Sequence, residues 1–215
     1  MKTISRRLML AGAGLVGGLA SLMPRARAAS PSSKCRAFPS GDHRWDMISS
    51  LGVDGPHRAQ VAGGTEARLF DRFIGTWKTD FRFIADDGSV QRTYPGLVIM
   101  GWIIDGHAIQ DIWLGYPEGR AFAERFIGTT VRFFDQSVGA WRQTFTAPQG
   151  NLILQLQGKS DGDRIVLHGL NTDGQPIRWS FNEIRSESFT WRGEDSNDQG
   201  SSWKVREEHH MKRMP

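Results

Sequence analysis

Two segments of this chain carry side chains suited to acid–base chemistry. The first surrounds Asp105-Gly106, a pair that supplies the positive φ angles of a tight hairpin. With these two as the central turn residues, Ile104 faces His107, Trp102 faces Ile109, Met100 faces Asp111 and Val98 faces Trp113. One face then displays Val98, Met100, Trp102, Ile104, His107, Ile109, Asp111 and Trp113. A carboxylate and an imidazole among aromatic rings form a candidate site. If that face is buried, the Asp111 pKa rises unless a cation or a hydrogen bond holds it down. The plainer alternative is that Asp111 pairs with an interior arginine and is structural, and that His107 sits at a rim.

The second segment is Arg206-Glu207-Glu208-His209-His210. On a strand, Glu207 and His209 share a face about 7 Å apart. With Asp111 or His107 from across an enclosed sheet they would make an acid–base set, so the catalytic candidates are Asp111, His107, Glu207 and His209. No HExxH and no paired cysteines accompany them, and no metal or other cofactor is expected. Nucleophilic chemistry has no support: Gly-x-Ser-x-Gly is absent, and the lone Cys35 falls in a linker and can form no intrachain disulfide. There is no phosphate-cradling or dinucleotide-binding glycine loop.

The chain has eight tryptophans. Trp102, Trp113, Trp179, Trp191 and Trp203, with Met100, are the candidate ligand-binding residues for an aromatic or lipid-like molecule. The same side chains would also serve as core filler.

The elements that must position these groups follow from a beat of glycine turns. Asp87-Gly88, Asp105-Gly106, Val138-Gly139, Gln149-Gly150, Asp161-Gly162, Asp173-Gly174 and Gln199-Gly200 punctuate alternating segments. Several lie too close together for crossover helices, which predicts an all-antiparallel sheet folding back on itself. The expected fold is all-β, an up-and-down antiparallel barrel of about ten strands at 76–84, 89–105, 107–116, 128–135, 140–148, 151–160, 164–172, 176–184, 188–196 and 201–213. A short amphipathic helix at 65–74 precedes it, with Thr65 as cap and Leu69, Phe70 and Phe73 as its apolar stripe. Pro95-Gly96 suits a bulge in the long second strand. The long connection 115–128 suits a lid or portal. Tryptophan-bearing faces should point inward and basic faces into water. In the last strand this places Trp203, Val205, Glu207 and His209 on one face.

The first 28 residues read as an export leader. Arg6-Arg7 precede a weakly hydrophobic, glycine-rich stretch, and Ala26-Arg27-Ala28 offers a cleavage pattern. Adjacent arginines suit the twin-arginine type. The whole chain has 27 basic and 23 acidic residues and a pI near 9.6. Five of the basic residues and no acid lie in the leader, so the mature chain has a net charge of −1. The high pI therefore gives no sign of a nucleic-acid partner. The expected organisation is a leader at 1–28, a linker at 29–64 with one short helix around Arg44 to Leu51, and a barrel at 65–215. The mature protein would be periplasmic or secreted, without stable membrane insertion, and a monomer or homodimer.

Phe73-Ile74-Gly75-Thr76-Trp77 resembles the Gly-x-Trp opening of lipocalin-like (calycin) barrels. The resemblance implies that the Trp plugs a closed end, with an arginine of the last strand, Arg206 or Arg213, packed across it. The runs from Gly128 to Asp135 and from Phe189 to Trp203 are similar to uncharacterised bacterial lipocalin-like proteins related to the DUF1579 group. The resemblance spans roughly 68–213 and implies a central cavity with no single chemistry. Ten strands stand closer to fatty-acid-binding proteins and haem-binding nitrobindins than to eight-strand lipocalins. The function expected is binding of a small hydrophobic or aromatic molecule in the cavity. The alternatives are a cofactor-free acid–base enzyme of isomerase, cyclase or hydratase type, and a nitrobindin-like haem protein using His209 or His210.

Overall fold

The structure is a computed structural model that describes residues 62–115 and 126–215. The leader, the linker with Cys35 and the short helix expected near 44–51, and most of the long connection lie outside the described residues. No helix among the described residues is long and apolar enough to cross a membrane.

Ten strands follow the turn beat: β1 (Gly75–Ile84), β2 (Val90–Ile103), β3 (Ala108–Gly115), β4 (Phe126–Asp135), β5 (Ala140–Ala147), β6 (Leu152–Asp161), β7 (Arg164–Leu170), β8 (Pro176–Asn182), β9 (Ser188–Asp195) and β10 (Lys204–Arg213). Each pairs antiparallel with its neighbours in sequence, and β1 pairs with β10. The result is a closed up-and-down barrel without a free edge.

One end is plugged. The expected helix at 65–74 is instead two 3₁₀ turns, Glu66–Arg68 and Asp71–Phe73. Thr65 has helical dihedrals and makes no side-chain cap. The apolar stripe is nevertheless used, with Leu69, Phe70 and Phe73 all buried. Phe70 meets Trp141 at 4.8 Å and Phe181 at 5.2 Å, and Phe73 meets Phe189 at 4.7 Å. Beneath them the Trp77 indole N–H donates to the Phe73 carbonyl at 2.7 Å. The Arg213 guanidinium lies 4.1 Å from the Trp77 ring centre and donates to the carbonyls of Arg72, Ile74 and Ser186. Of the two arginines the resemblance offered, Arg213 packs across Trp77. Arg206 pairs with Asp86 and Asp195 at the end opposite the plug.

The bulge expected at Pro95-Gly96 is absent. Asp80 faces Pro95 and Thr79 faces Gly96 in unbroken register, and the irregularity falls at Phe83/Ile84 instead. The glycine is needed for space. A Cβ on Gly96 would stand 1.9 Å from Phe81 Cε2 and 2.8 Å from the Leu114 carbonyl oxygen. Gly96→Ala should therefore destabilise the barrel by about 1–3 kcal/mol through overpacking. Chemical denaturation would measure it, and a variant as stable as the parent would count against this packing.

Candidate functional site

The hairpin register expected around Asp105-Gly106 is the one observed: Val98 faces Trp113, Met100 faces Asp111 and Trp102 faces Ile109. This phase points Val98, Met100, Ile109, Asp111 and Trp113 into the barrel, all buried, with Trp102 half-buried against the same core. His107 is not among them. The ladder stops at Ile103–Ala108, and Ile104, Asp105 and Gly106 all have positive φ, at 53°, 53° and 76°. Three left-handed residues in succession turn the chain away, leaving His107 exposed near the plugged end and removing it from the candidate catalytic set.

Asp111 is fully buried, and its carboxylate gathers three donors. Trp113 Nε1–H reaches Oδ1 at 2.7 Å, the Thr130 amide reaches Oδ1 at 3.0 Å, and the Arg132 guanidinium bonds Oδ2. Burial pushes the Asp111 carboxyl above its usual range, and the Arg132 charge and the hydrogen bonds oppose that rise. The Arg132 guanidinium is lowered by the same burial and held up by Asp111. Arg132 also stands 4.6 Å from the Phe70 ring centre. The interior-arginine alternative for Asp111 is thus realised. Sequence reasoning did not name Arg132. In Thr130-Val131-Arg132-Phe133 the apolar side chains look like the inward set, yet Val131 and Phe133 are 36% and 44% exposed while Arg132 is 1% exposed.

Glu207 and His209 do share a face, and they touch. His209 is buried, its ring stacked on Trp191 with centres 4.9 Å apart and planes 11° apart. Phe81 and Trp113 stand 4.7 and 6.1 Å from it. His209 Nδ1 accepts the Arg82 backbone N–H at 3.2 Å. That contact places the imidazole proton on Nε2, 3.2 Å from Glu207 Oε2, to which it donates. The Glu207 side chain is 39% exposed. It sits on the side of His209 away from the plug, with Phe83 as its partner on β1. Trp113 donates to Asp111 and stands beside His209, and no hydrogen bond among the described residues joins the two directly, so the expected four-residue set resolves into a Glu207–His209 pair and a separate Asp111–Arg132 pair.

Both His209 nitrogens are engaged, and His210 Nε2 lies 2.8 Å from Arg82 and 3.0 Å from Glu208. Neither histidine presents the free nitrogen that the haem alternative requires. Among the described residues no group of three His, Cys, Asp or Glu side chains is placed to hold a metal ion.

Trp191 centres the tryptophan cluster, 5.3 Å from both Trp113 and Trp179. Trp203 is the exception. A register shift between Val205 and Glu207 reverses the alternation, so Val205 faces Glu194 on the outer surface. Trp203 accordingly stacks outside, 4.4 Å from the Arg178 guanidinium and 5.7 Å from His168.

The rings inside lie against glycines. Side-chain atoms of Phe81, Tyr94, Phe145 and Trp191 come within 1.9 to 2.9 Å of where a Cβ would stand on Gly96, Gly115, Gly128 and Gly193. Each ring is thereby seated on the barrel wall. Among the described residues, buried side chains here leave several polar atoms without a protein partner, including Thr130 Oγ1, Arg132 Nε and Nη1, both amide atoms of Gln143, and Trp191 Nε1. Gln143 was also missed from sequence: it alternates in phase with Trp141 and Phe145, but nothing local shows that it lies opposite Arg132.

No family model matches the chain, and no curated protein matches it. Among solved structures, an S-type phycobiliprotein lyase from Guillardia theta is similar, with 12% identity and a TM-score of 0.50 over 73% of this chain and 99% of that one. A redesigned β-barrel matches with 14% identity and a TM-score of 0.36 over 69% of this chain and 97% of its own. At this identity the likeness to the lyase is one of fold: a lipocalin-like barrel.

Asp111→Asn should lower stability by about 3–5 kcal/mol, because it leaves the Arg132 charge buried without its counter-ion. Replacing both, as Asp111→Leu with Arg132→Met, should recover much of that loss. Denaturant midpoints on the three proteins check this, and an unperturbed single variant would dissolve the pair. A second expectation concerns the turn that launches β10. The Ser202 hydroxyl, then its amide and the Ser196 hydroxyl, hold the Asp198 carboxyl down at about 2, from 3.8. A lowered folded value contributes stability above the unfolded value, lost as pH falls through the folded one. The stability advantage of the parent over Asp198→Asn should be complete above about pH 5 and vanish towards about pH 2. A gap that stays constant across that window would refute it.

Proposed function

We propose that the mature chain is an exported lipocalin-like barrel that takes a small hydrophobic or aromatic molecule into its interior through the end opposite the plug, and that it is related to the bacterial DUF1579 group. The seating of Phe81, Tyr94, Phe145 and Trp191 against inward glycines carries this reading. Rings laid on the wall present their π-faces inward, the kind of surface on which an aromatic molecule stacks. Phe83, Phe126, Leu152 and Trp179 are partly buried against this core and continue the apolar lining. Protein purified from its own periplasm should carry a retained small molecule, visible in native mass spectrometry as a mass above that of residues 29–215. Trp191→Ala should lose it while remaining folded. Parent protein at sequence mass, with tryptophan fluorescence unmoved by added aromatic compounds, would count against the reading.

A second reading, a cofactor-free acid–base enzyme, is favoured by the His209 contacts. With Nδ1 held by the Arg82 amide and Nε2–H donated to Glu207, His209 orients the carboxylate, and Glu207 is the group left to accept a substrate proton. On this reading the parent converts the retained molecule over time and Glu207→Gln binds it unchanged. Absence of conversion by the parent leaves a carrier.

Export rests on Arg6-Arg7 and Ala26-Arg27-Ala28. Changing both arginines to lysine should leave precursor in the cytoplasm, as fractionation would show. Normal accumulation outside the cytoplasm would remove twin-arginine routing.

A further inference from the structure

We infer that the ligand's polar end is an uncharged carbonyl, and that Arg132 and Gln143 are the residues that select it. The inference rests on the reading that the barrel takes an aromatic molecule inside. Arg132 and Gln143 are direct cross-strand partners on β4 and β5. Both face inward, at 1% and 3% exposure. Between them four buried polar atoms lack any protein partner: Arg132 Nε and Nη1, and Gln143 Nε2 and Oε1. Native interiors leave few such atoms, and a concentrated set marks a place for a bound group or ordered water.

The donors dominate this set. A guanidinium has five N–H groups, and Nη2 alone is engaged by Asp111. Nε, Nη1 and the Gln143 amide therefore offer N–H bonds to an acceptor in the lumen. Charge then narrows the acceptor. Asp111 already balances Arg132, so the locus is neutral as built. A ligand carboxylate would meet the Asp111 charge and the negative faces of the surrounding rings, while losing its hydration. A cation would find donors aimed at it. A neutral carbonyl oxygen takes the N–H bonds without disturbing the pair.

Depth agrees with an aromatic body. Gln143 lies four residues in from Ala147, where β5 ends opposite the plug, about 14 Å along the strand. Phe145 occupies the inward position between them and stands 5.2 Å from Trp179, which in turn reaches Trp191. A carbonyl at Gln143 thus leaves its ring system among these side chains. Trp191 Nε1, also buried and unpaired, offers a further donor in the same interior.

Three matched probes test this on the mature chain: 2-acetylnaphthalene, 2-ethylnaphthalene and 2-naphthoate, titrated by tryptophan quenching and calorimetry. The ketone should bind at least about tenfold tighter than the hydrocarbon, the size of one well-made hydrogen bond. The carboxylate should bind weakest. Gln143→Leu should erase the ketone's advantage and leave the hydrocarbon's affinity unchanged. Because Arg132→Met alone strands Asp111, the arginine is tested as Asp111→Leu with Arg132→Met, with the same expected loss of preference. Equal binding of ketone and hydrocarbon by the parent would overturn the proposal, as would a preference for naphthoate; ordered water would then be what satisfies these atoms. Binding without preference overturns only this inference. Failure of all three probes to bind overturns the interior-ligand reading and this inference with it.

Discussion

Closure of the sheet by the β1–β10 ladder is the constraint on which the rest of this molecule depends. Trp77 opposite Arg213 and Phe81 opposite His209 set the register at the seam. Once the seam is made, every strand has one inward phase, and a slip of one residue would exchange all inner and outer side chains. The plug needs that phase to bring Arg213 over Trp77. The interior needs it to bring His209 against Trp191. A ten-strand barrel is too wide for aliphatic side chains alone to fill, and aromatic rings from β1 to β5, β8 and β9 occupy much of it.

Within that frame the two ionisable interior pairs differ in kind. Asp111 and Arg132 are both out of reach of water, and the fold holds them only because donors and counter-ion arrive together. Such a pair adds little net stability but strongly penalises loss of one partner. Glu207 and His209 differ in exposure. His209 is buried and donates through Nε2, while Glu207 retains access to solvent. Trp113 links the two pairs, donating to Asp111 while standing beside His209. The interior is thus a polar path set in aromatic walls rather than a uniform apolar core.

The outer surface of β8, β9, β10 and β1 is laced with charge. Arg178 pairs with Glu194 through two bonds of 2.7 Å, and Glu208 is shared by Arg192 and Arg82. Trp203 lies over Arg178 in this layer. The bulge before Glu207 connects the two worlds. By inserting one residue it lets β10 begin with Trp203 outside and continue with Glu207 and His209 inside.

What the sequence determined by itself was local. Turn glycines and two-residue alternation marked all ten strands within a few residues, and the Asp105-Gly106 pair gave the register that turns Asp111 and Trp113 inward. The plug was indicated only through the resemblance of Phe73-Ile74-Gly75-Thr76-Trp77 to the lipocalin-type opening. These signals are legible because backbone geometry and nearest-strand pairing depend on neighbours in the chain. Only the tertiary structure decided which arginine meets Asp111, because the inward phase of β4 contradicts its hydrophobicity: Arg132 goes in and Phe133 stays out. It also decided that Trp203 leaves the interior, since one inserted residue in β10 reverses every side chain before it. His107 left the site through three left-handed residues that no alternation pattern encodes. Gln143 joined it because β5 is held against β4 in one register, and that register is a property of the closed ladder rather than of any single strand.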